Sequence, residues 1–266
     1  MLDIVSFFDP GSCGFNELFK AADPVWLPLR NLKPYMDDQA YPALPCGLVP
    51  DGQPLPRTVV LVEGEALPGD GLRIEYGDAT KGKLKVLQGD RELPGATVIM
   101  AGALLAGDRI RLGRGVLVEA GALIKSPAII GDRTEVRQGA YLRGYTLVGA
   151  RCVVGHVTEV KHAIFLDDAK AGHFAYLGDS ILGASVNLGA GTKMANLRFV
   201  KGEVRIRTPE GKVDSGLTKL GAILGDGVQT GCNSVTNPGT LLGRSSLVLP
   251  NATAPSGYHP PHSVIR

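Results

Sequence analysis

Large rings are scarce in this sequence. Phe, Trp and Tyr make up 6% of its 266 residues, with a single tryptophan, so a core built mostly of small aliphatics is expected. Cysteine is sparse too. Cys13, Cys46, Cys152 and Cys232 lie far apart and form no C-x-x-C pair, which argues against both a disulfide framework and a cysteine zinc site. Net charge is only +2, so the broad basic footprint of a nucleic-acid binder is missing. No apolar run approaches the roughly 20 residues of a membrane helix. The opening MLDIVSFFDP has no basic stretch leading into an apolar one, so no signal peptide is expected. A cytoplasmic protein with neither a membrane nor a nucleic-acid partner is the expectation.

Glycine is plentiful instead, at 36 residues, and the chain repeats. Every sixth residue from 112 is aliphatic: Leu112, Val118, Ile124, Ile130, Val136, Leu142, Val148, Val154, Val160 and Leu166. With 44% of the chain hydrophobic, ten such hits arise by chance on the order of a few times in ten thousand. A period of six suits neither a helix nor simple strand alternation. It suits an all-β parallel β-helix, in which each hexapeptide is a short strand plus a corner and directs one aliphatic inward. Three hexapeptides close a triangular coil of 18 residues. Leu112, Ile130, Val148 and Leu166 are then expected to stack.

The rhythm slips within KAGHFAYLGDSILGASVNLGAGT. The next apolar positions are Ala171, Leu177, Leu182 and Leu188, with five-residue steps from 166 to 171 and from 177 to 182. Local rules tend to fail at functional sites, and His173 lies between these slips. Val235, Leu241 and Leu247 restore the period. Between lies a polar excursion, 197–218, whose VRIRTPEGKV predicts two strands around a turn. Such loops often line binding faces. Residues 1–95 lack the repeat. Trp26, Leu29 and Leu32 predict a short helix among prolines, and RTVVLVEG, GLRIEYG and GKLKVLQG predict three strands. The expected organisation is a small N-terminal α+β domain (1–95), a β-helix (96–253) and a loop-like tail (254–266).

The segments AYLRG, TEVKHA, KAGHFAYLGDSILGASVNLGAGT, MANLR and LTKLGAILGDGVQTGCNSVTNPGTLLG span about 110–255. They resemble the left-handed β-helix acetyltransferase domain of bifunctional glucosamine-1-phosphate N-acetyltransferase / N-acetylglucosamine-1-phosphate uridyltransferase. Closer still are the stand-alone sugar-phosphate nucleotidyltransferase-like proteins that carry only this domain. The resemblance implies a left-handed β-helix, acetyl-CoA as co-substrate with no tightly bound cofactor, and a homotrimer with sites between neighbouring coils. It places the family's catalytic histidine on His173. Substrate contacts fall on Arg143, Lys161, Tyr176, Asn187, Asn196 and Lys219. The acetyl-CoA wall falls on Gly231 and Cys232, where the family's Gly-Ser reads Gly-Cys. The family's Gly-rich nucleotide loop followed by Thr-Arg-Met does not occur in residues 1–95, so no nucleotidyl transfer is expected.

N-acetylation of an amino sugar needs a neutral amine, a thioester, a proton acceptor and a stabilised oxyanion. His173 suits the acceptor, because histidine titrates near the working pH. Arg143 and Lys161 are 18 apart, so they stack in successive coils. Together they suit a sugar phosphate, Arg by bidentate contact and Lys as a point charge. Two other readings stay open. His156, His162 and His173 are the candidate ligands of a γ-carbonic-anhydrase-like metal-dependent hydro-lyase. A non-catalytic β-helix scaffold is the other. No metal is required by the acyltransferase reading.

Overall fold

A computed structural model describes residues 2–9, 11, 14–45 and 47–266 of the chain. Cys13 and Cys46 lie outside them. From residue 97 onward the chain winds as a parallel β-solenoid of about nine turns with three faces. Face 1 runs from Thr97–Ile99 through Lys170–His173 to Val264–Ile265. Face 2 runs from Leu104–Ala106 through Tyr176–Gly178 to Thr253–Ala254. Face 3 runs from Ile110–Leu112 through Ala163–Phe165 to Gly257–His259.

One residue from each short strand fills the lumen. On face 1, Val118, Val136, Val154, Ala171 and Leu188 stack in register. On face 2, Ile124, Leu142, Val160, Leu177 and Met194 do so. Small residues two positions earlier, such as Ala122, Ala140, Cys152 and Ala169, are buried beside them. The lumen therefore has no volume for paired rings, which explains the scarcity of aromatics. Among the described residues its one large ring is Phe165.

Phe165 corrects the expected stack. Leu112, Ile130 and Val148 pair in turn, but the next partner of Val148 is Phe165 and not Leu166. The shortened step is thus 160 to 165, one corner earlier than the expected 166 to 171. The second, 177 to 182, is where it was expected: Phe165 pairs with Leu182. Leu166 is buried outside the lumen. The resumed period is also offset by one residue. Leu224, Leu242 and Val248 belong to the lumen core, whereas Leu241 packs outward and Leu247 is 41% exposed. Thr230 and Thr236 occupy the intervening lumen rows. A hydrophobicity count passes over those threonines and locks onto the outer row.

Residues ahead of the solenoid are spread over three cores. The helix Leu27–Asp37 and the rings of Phe7, Phe8 and Phe19 cover the outer side of face 3, against Ile129, Leu147, Ile164 and Ile181. Val59–Val62 and Glu65–Pro68 extend face 1 in antiparallel fashion. Arg73–Glu75, Lys85–Gln88 and Arg91–Glu92 form a separate small sheet that packs over Val98 and Leu117. The expected helix and three strands are present, but they coat the solenoid. The segment 254–266 is not a loop-like tail. Gly257–His259 and Val264–Ile265 pair with the preceding coil and close the solenoid.

Phe165→Ala should lower stability by about 3–5 kcal/mol, read by denaturant unfolding. Wild-type stability in that variant would place the ring outside the lumen.

Candidate active site

These two shortened steps fall at the corner between faces 2 and 3, as does a third, Ala254 to His259, in the last coil. In the preceding full-length coil this corner is Arg143-Gly144-Tyr145; one coil on it is Lys161-His162, and then Gly178-Asp179. The shortening brings Tyr145, His162 and Asp179 into one column, and all three adopt the left-handed conformation, with φ of 48°, 48° and 47°. Non-glycine residues reach that conformation at a cost of about 1–2 kcal/mol each. The conformation recurs at other corners of the solenoid, as at Arg133, Arg151, Asp168 and Ser185, so it belongs to the turn itself.

Asp179 is the hub of this corner. It is buried. Its Oδ1 lies 3.0 Å from Nδ1 of His162. Its Oδ2 accepts from Lys161 Nζ at 3.1 Å and from the Asn196 amide. The Tyr176 hydroxyl donates to Asn196 Oδ1 at 3.4 Å. Gly178 makes the convergence possible: a Cβ there would sit 2.7 Å from the Tyr176 hydroxyl and 2.5 Å from Asn196 Nδ2. The excursion departs at Asn196 and returns to the same point. Leu220 N–H donates to Asn196 C=O and Gly221 N–H to Asp179 C=O. Lys219 is therefore exposed at the rim, one residue from the closure.

Arg143 and Lys161 do stack. Each follows a lumen residue of face 2, and Leu142 and Val160 are in register. Lys125 follows Ile124 and precedes them in the same column. A second outward column holds Tyr141, Glu159, Tyr176 and Lys193. Arg143 donates to Glu159 at 2.7 Å, and Lys125 lies 5.3 Å from the centre of the Tyr141 ring. Burial pushes the Tyr176 hydroxyl above its ordinary range, with Glu159 and Asp179 adding to the effect; it stays a neutral donor.

His173 sits across face 2 from this hub, at the corner with face 1. It is exposed and in register with His156 one coil earlier. Gly155 and Gly172, immediately before the two histidines, touch: a Cβ on Gly155 would overlap the Gly172 carbonyl. Immediately after them stand Val157 and Phe174, at φ of 49° and 53°, where neighbouring coils place Gly139 and Gly191. The Phe174 ring meets His156 edge-on at 5.3 Å and His173 at 6.2 Å. Gly231 and Cys232 follow in the same corner column, below Gly189 and Ala190. At the usual strand spacing Cys232 is roughly 10 Å from His173 along the solenoid. Asn187 is exposed on face 1, between Lys170 and Gln229.

The expected residues thus form two groups flanking face 2. Lys161, Tyr176, Asn196 and Lys219 gather at one corner with Arg143 beside them; His173, Gly231 and Cys232 mark the other. Asn187 joins neither directly. His162 does not approach His156 and His173, so the three histidines do not converge within one chain. Sequence reasoning missed Asp179 and the roles of Glu159 and Lys125. The five-residue step at Gly178-Asp179 was the available signal for Asp179.

Burial opposes ionisation of Asp179, but its bonds to His162, Asn196 and Lys161 outweigh it and hold the carboxyl below its ordinary value of 3.8. A carboxyl lowered in the fold contributes stability above its unfolded value and loses it as pH falls through the folded one. Asp179→Asn should therefore cost about 1–3 kcal/mol at neutral pH, and the gap from wild type should close as pH falls below the ordinary carboxylate range and the Asp179 carboxyl takes up its proton. Thermal melts across that range read it out; a gap independent of pH would contradict the assigned bonds.

Comparison with known proteins bears on this region. Residues 124–253 match the family model of the GMPPB C-terminal domain. A bifunctional sugar-1-phosphate nucleotidylyltransferase/acetyltransferase of Sulfurisphaera tokodaii is 39% identical over 90 residues, 34% of this chain and 22% of that protein. The bifunctional protein GlmU of Methanococcus maripaludis strain C7 is 43% identical over 86 residues, 32% of this chain and 21% of the relative. That of Methanocaldococcus jannaschii is 40% identical over 81 residues, covering 30% and 20%. The chain spans about a fifth of the length of these relatives. Over about a third of its length, within the solenoid, the chain is similar to a bifunctional sugar-1-phosphate nucleotidylyltransferase/acetyltransferase and to bifunctional GlmU proteins.

Proposed function

We propose that the solenoid is an acetyl-CoA-dependent N-acyltransferase acting on an amino-sugar phosphate such as glucosamine 1-phosphate. The observation that carries this reading is the arrangement on face 2, with cations and amide groups at one edge and an exposed histidine at the other. The naming of the Sulfurisphaera tokodaii relative as an acetyltransferase supports it.

Arg143 and Lys161 hold the phosphate, with Lys219 at the rim. Asn196 and Tyr176 bond sugar hydroxyls, and Asn187 extends the set toward face 1. His173 takes the proton from the amine as its nitrogen attacks the thioester carbonyl and the C–N bond forms. The tetrahedral intermediate then collapses, the C–S bond breaks, and the thiolate accepts a proton. The products are an amide and CoA. The Gly231-Cys232 corner is the proposed wall for acetyl-CoA. Its thiol is exposed, where the resemblance places a serine.

A homotrimer is part of this reading. Val157 and Phe174 beside the histidines, and Leu197, Phe199 and Val200 in the excursion, are exposed apolar side chains suited to burial against a neighbour. The hairpin Arg205–Thr208 and Gly211–Asp214 does not reach outward. It packs on this chain's own last coil, with Arg207 against Gly257, so residues 197–200 are the part of the excursion available to a neighbour.

Thiol release from acetyl-CoA should depend on an amino-sugar phosphate, and His173→Ala should lower kcat by about 10²–10⁴-fold. No turnover across a panel of amino-sugar phosphates, or a variant equal to wild type, would overturn the reading. Light scattering should give three times the chain mass; a monomer would remove the proposed intersubunit site.

A further inference from the structure

Beyond the residues that align with the family, the corner column holds a pair with no role so far: Asp179 and His162. Resting on the function proposed above, we infer that Asp179 is the positioning residue of the phosphate-side subsite, and that His162, oriented by it, presents Nε2 to the sugar as a hydrogen-bond acceptor.

Asp179 is buried and accepts from three side chains, Lys161, His162 and Asn196. Each has a second polar function left for a ligand. Lys161 keeps two ammonium hydrogens. Asn196 keeps its remaining amide hydrogen. His162, donating through Nδ1 to a carboxylate, is thereby fixed as the tautomer whose Nε2 bears the lone pair. No hydrogen bond to Nε2 occurs among the described residues, and the side chain is 15% exposed.

The imidazole is held from its other side as well. The Tyr145 ring meets it edge-on at 6.5 Å, and Tyr145 is in turn held by the N-terminal helix. Its hydroxyl donates to Asp37 at 3.2 Å, and Lys33 lies 5.2 Å from its ring centre. Arg109 completes that support by pairing with Asp37. The segment ahead of the solenoid thereby reaches the candidate site through one tyrosine.

The carboxylate does not repel a bound phosphate outright. Both of its oxygens are taken up by donors, and Lys125, Arg143 and Lys219 add positive charge along the same edge. Here three groups are pinned, each with a free function left over, around a glycine whose missing side chain leaves their space open.

The test has two arms. In wild-type protein, two-dimensional ¹⁵N–¹H spectra of the histidine rings should show His162 as the Nδ1–H tautomer, and Asp179→Asn should lose that signature. Calorimetry with glucosamine 1-phosphate should show at least about tenfold weaker binding in Asp179→Asn, with acetyl-CoA binding within about twofold of wild type. His162→Gln should weaken the sugar phosphate severalfold and leave inorganic phosphate unchanged. An Nε2–H tautomer in wild type overturns the inference, as does equal loss of both ligands in Asp179→Asn or unchanged sugar-phosphate binding. If wild type bound neither glucosamine 1-phosphate nor inorganic phosphate, the functional reading would fail, while the tautomer would still decide whether Asp179 orients His162.

Discussion

Each hexapeptide must deliver one side chain into a narrow lumen, which leaves room beside it only for a second, mostly smaller one two positions earlier. Stacking in register then makes every coil a template for the next: Val118 sets the place of Val136, and Val136 that of Val154. Burial of these rows is the main stabilising interaction of the solenoid. It also dictates where irregularity is tolerated. A coil can lose a residue or gain a long excursion only at a corner, where no lumen side chain is displaced.

All of the large irregularities use the same corner. Two successive coils lose a residue between faces 2 and 3, and the excursion leaves and rejoins there, at Asn196 and Leu220. The rows absorb the change by admitting Phe165 and Leu182 at the five-residue steps. The shortened corners lack a counterpart of Gly144, and Tyr145, His162 and Asp179 follow one another in the left-handed conformation. The bonds Asp179 makes and the helix Leu27–Asp37 behind Tyr145 hold this column in place. Chemistry-bearing side chains are thereby concentrated along one edge of a face that is otherwise repetitive.

The sequence shows the period, and the period carries the fold class. Ile124 to Val160 fall in the lumen at the expected positions because an unbroken aliphatic row can be read by counting. Counting fails where the row changes character. Phe165 and Leu166 are both apolar and both buried, so only three-dimensional register distinguishes the one inside from the one outside. Thr230 and Thr236 hide the true row, and the outer Val235, Leu241 and Leu247 take its place in the count. The stacking of Arg143 on Lys161 was legible because 18 residues is a full coil there. Asp179 was not, because its partners come from the coils on either side of it, Lys161 and His162 from one and Asn196 from the other. Asn187 shows the opposite limit: a motif match names it, yet it stands on face 1, apart from the other groups.

The central claim is that an amino-sugar phosphate lies across face 2. A crystal structure with glucosamine 1-phosphate and CoA tests it most directly. The phosphate is expected between Arg143 and Lys161, the hydroxyls near Asn196 and Tyr176, and the amine turned toward His173. A sugar phosphate bound elsewhere, or one whose amine points away from His173, would contradict it.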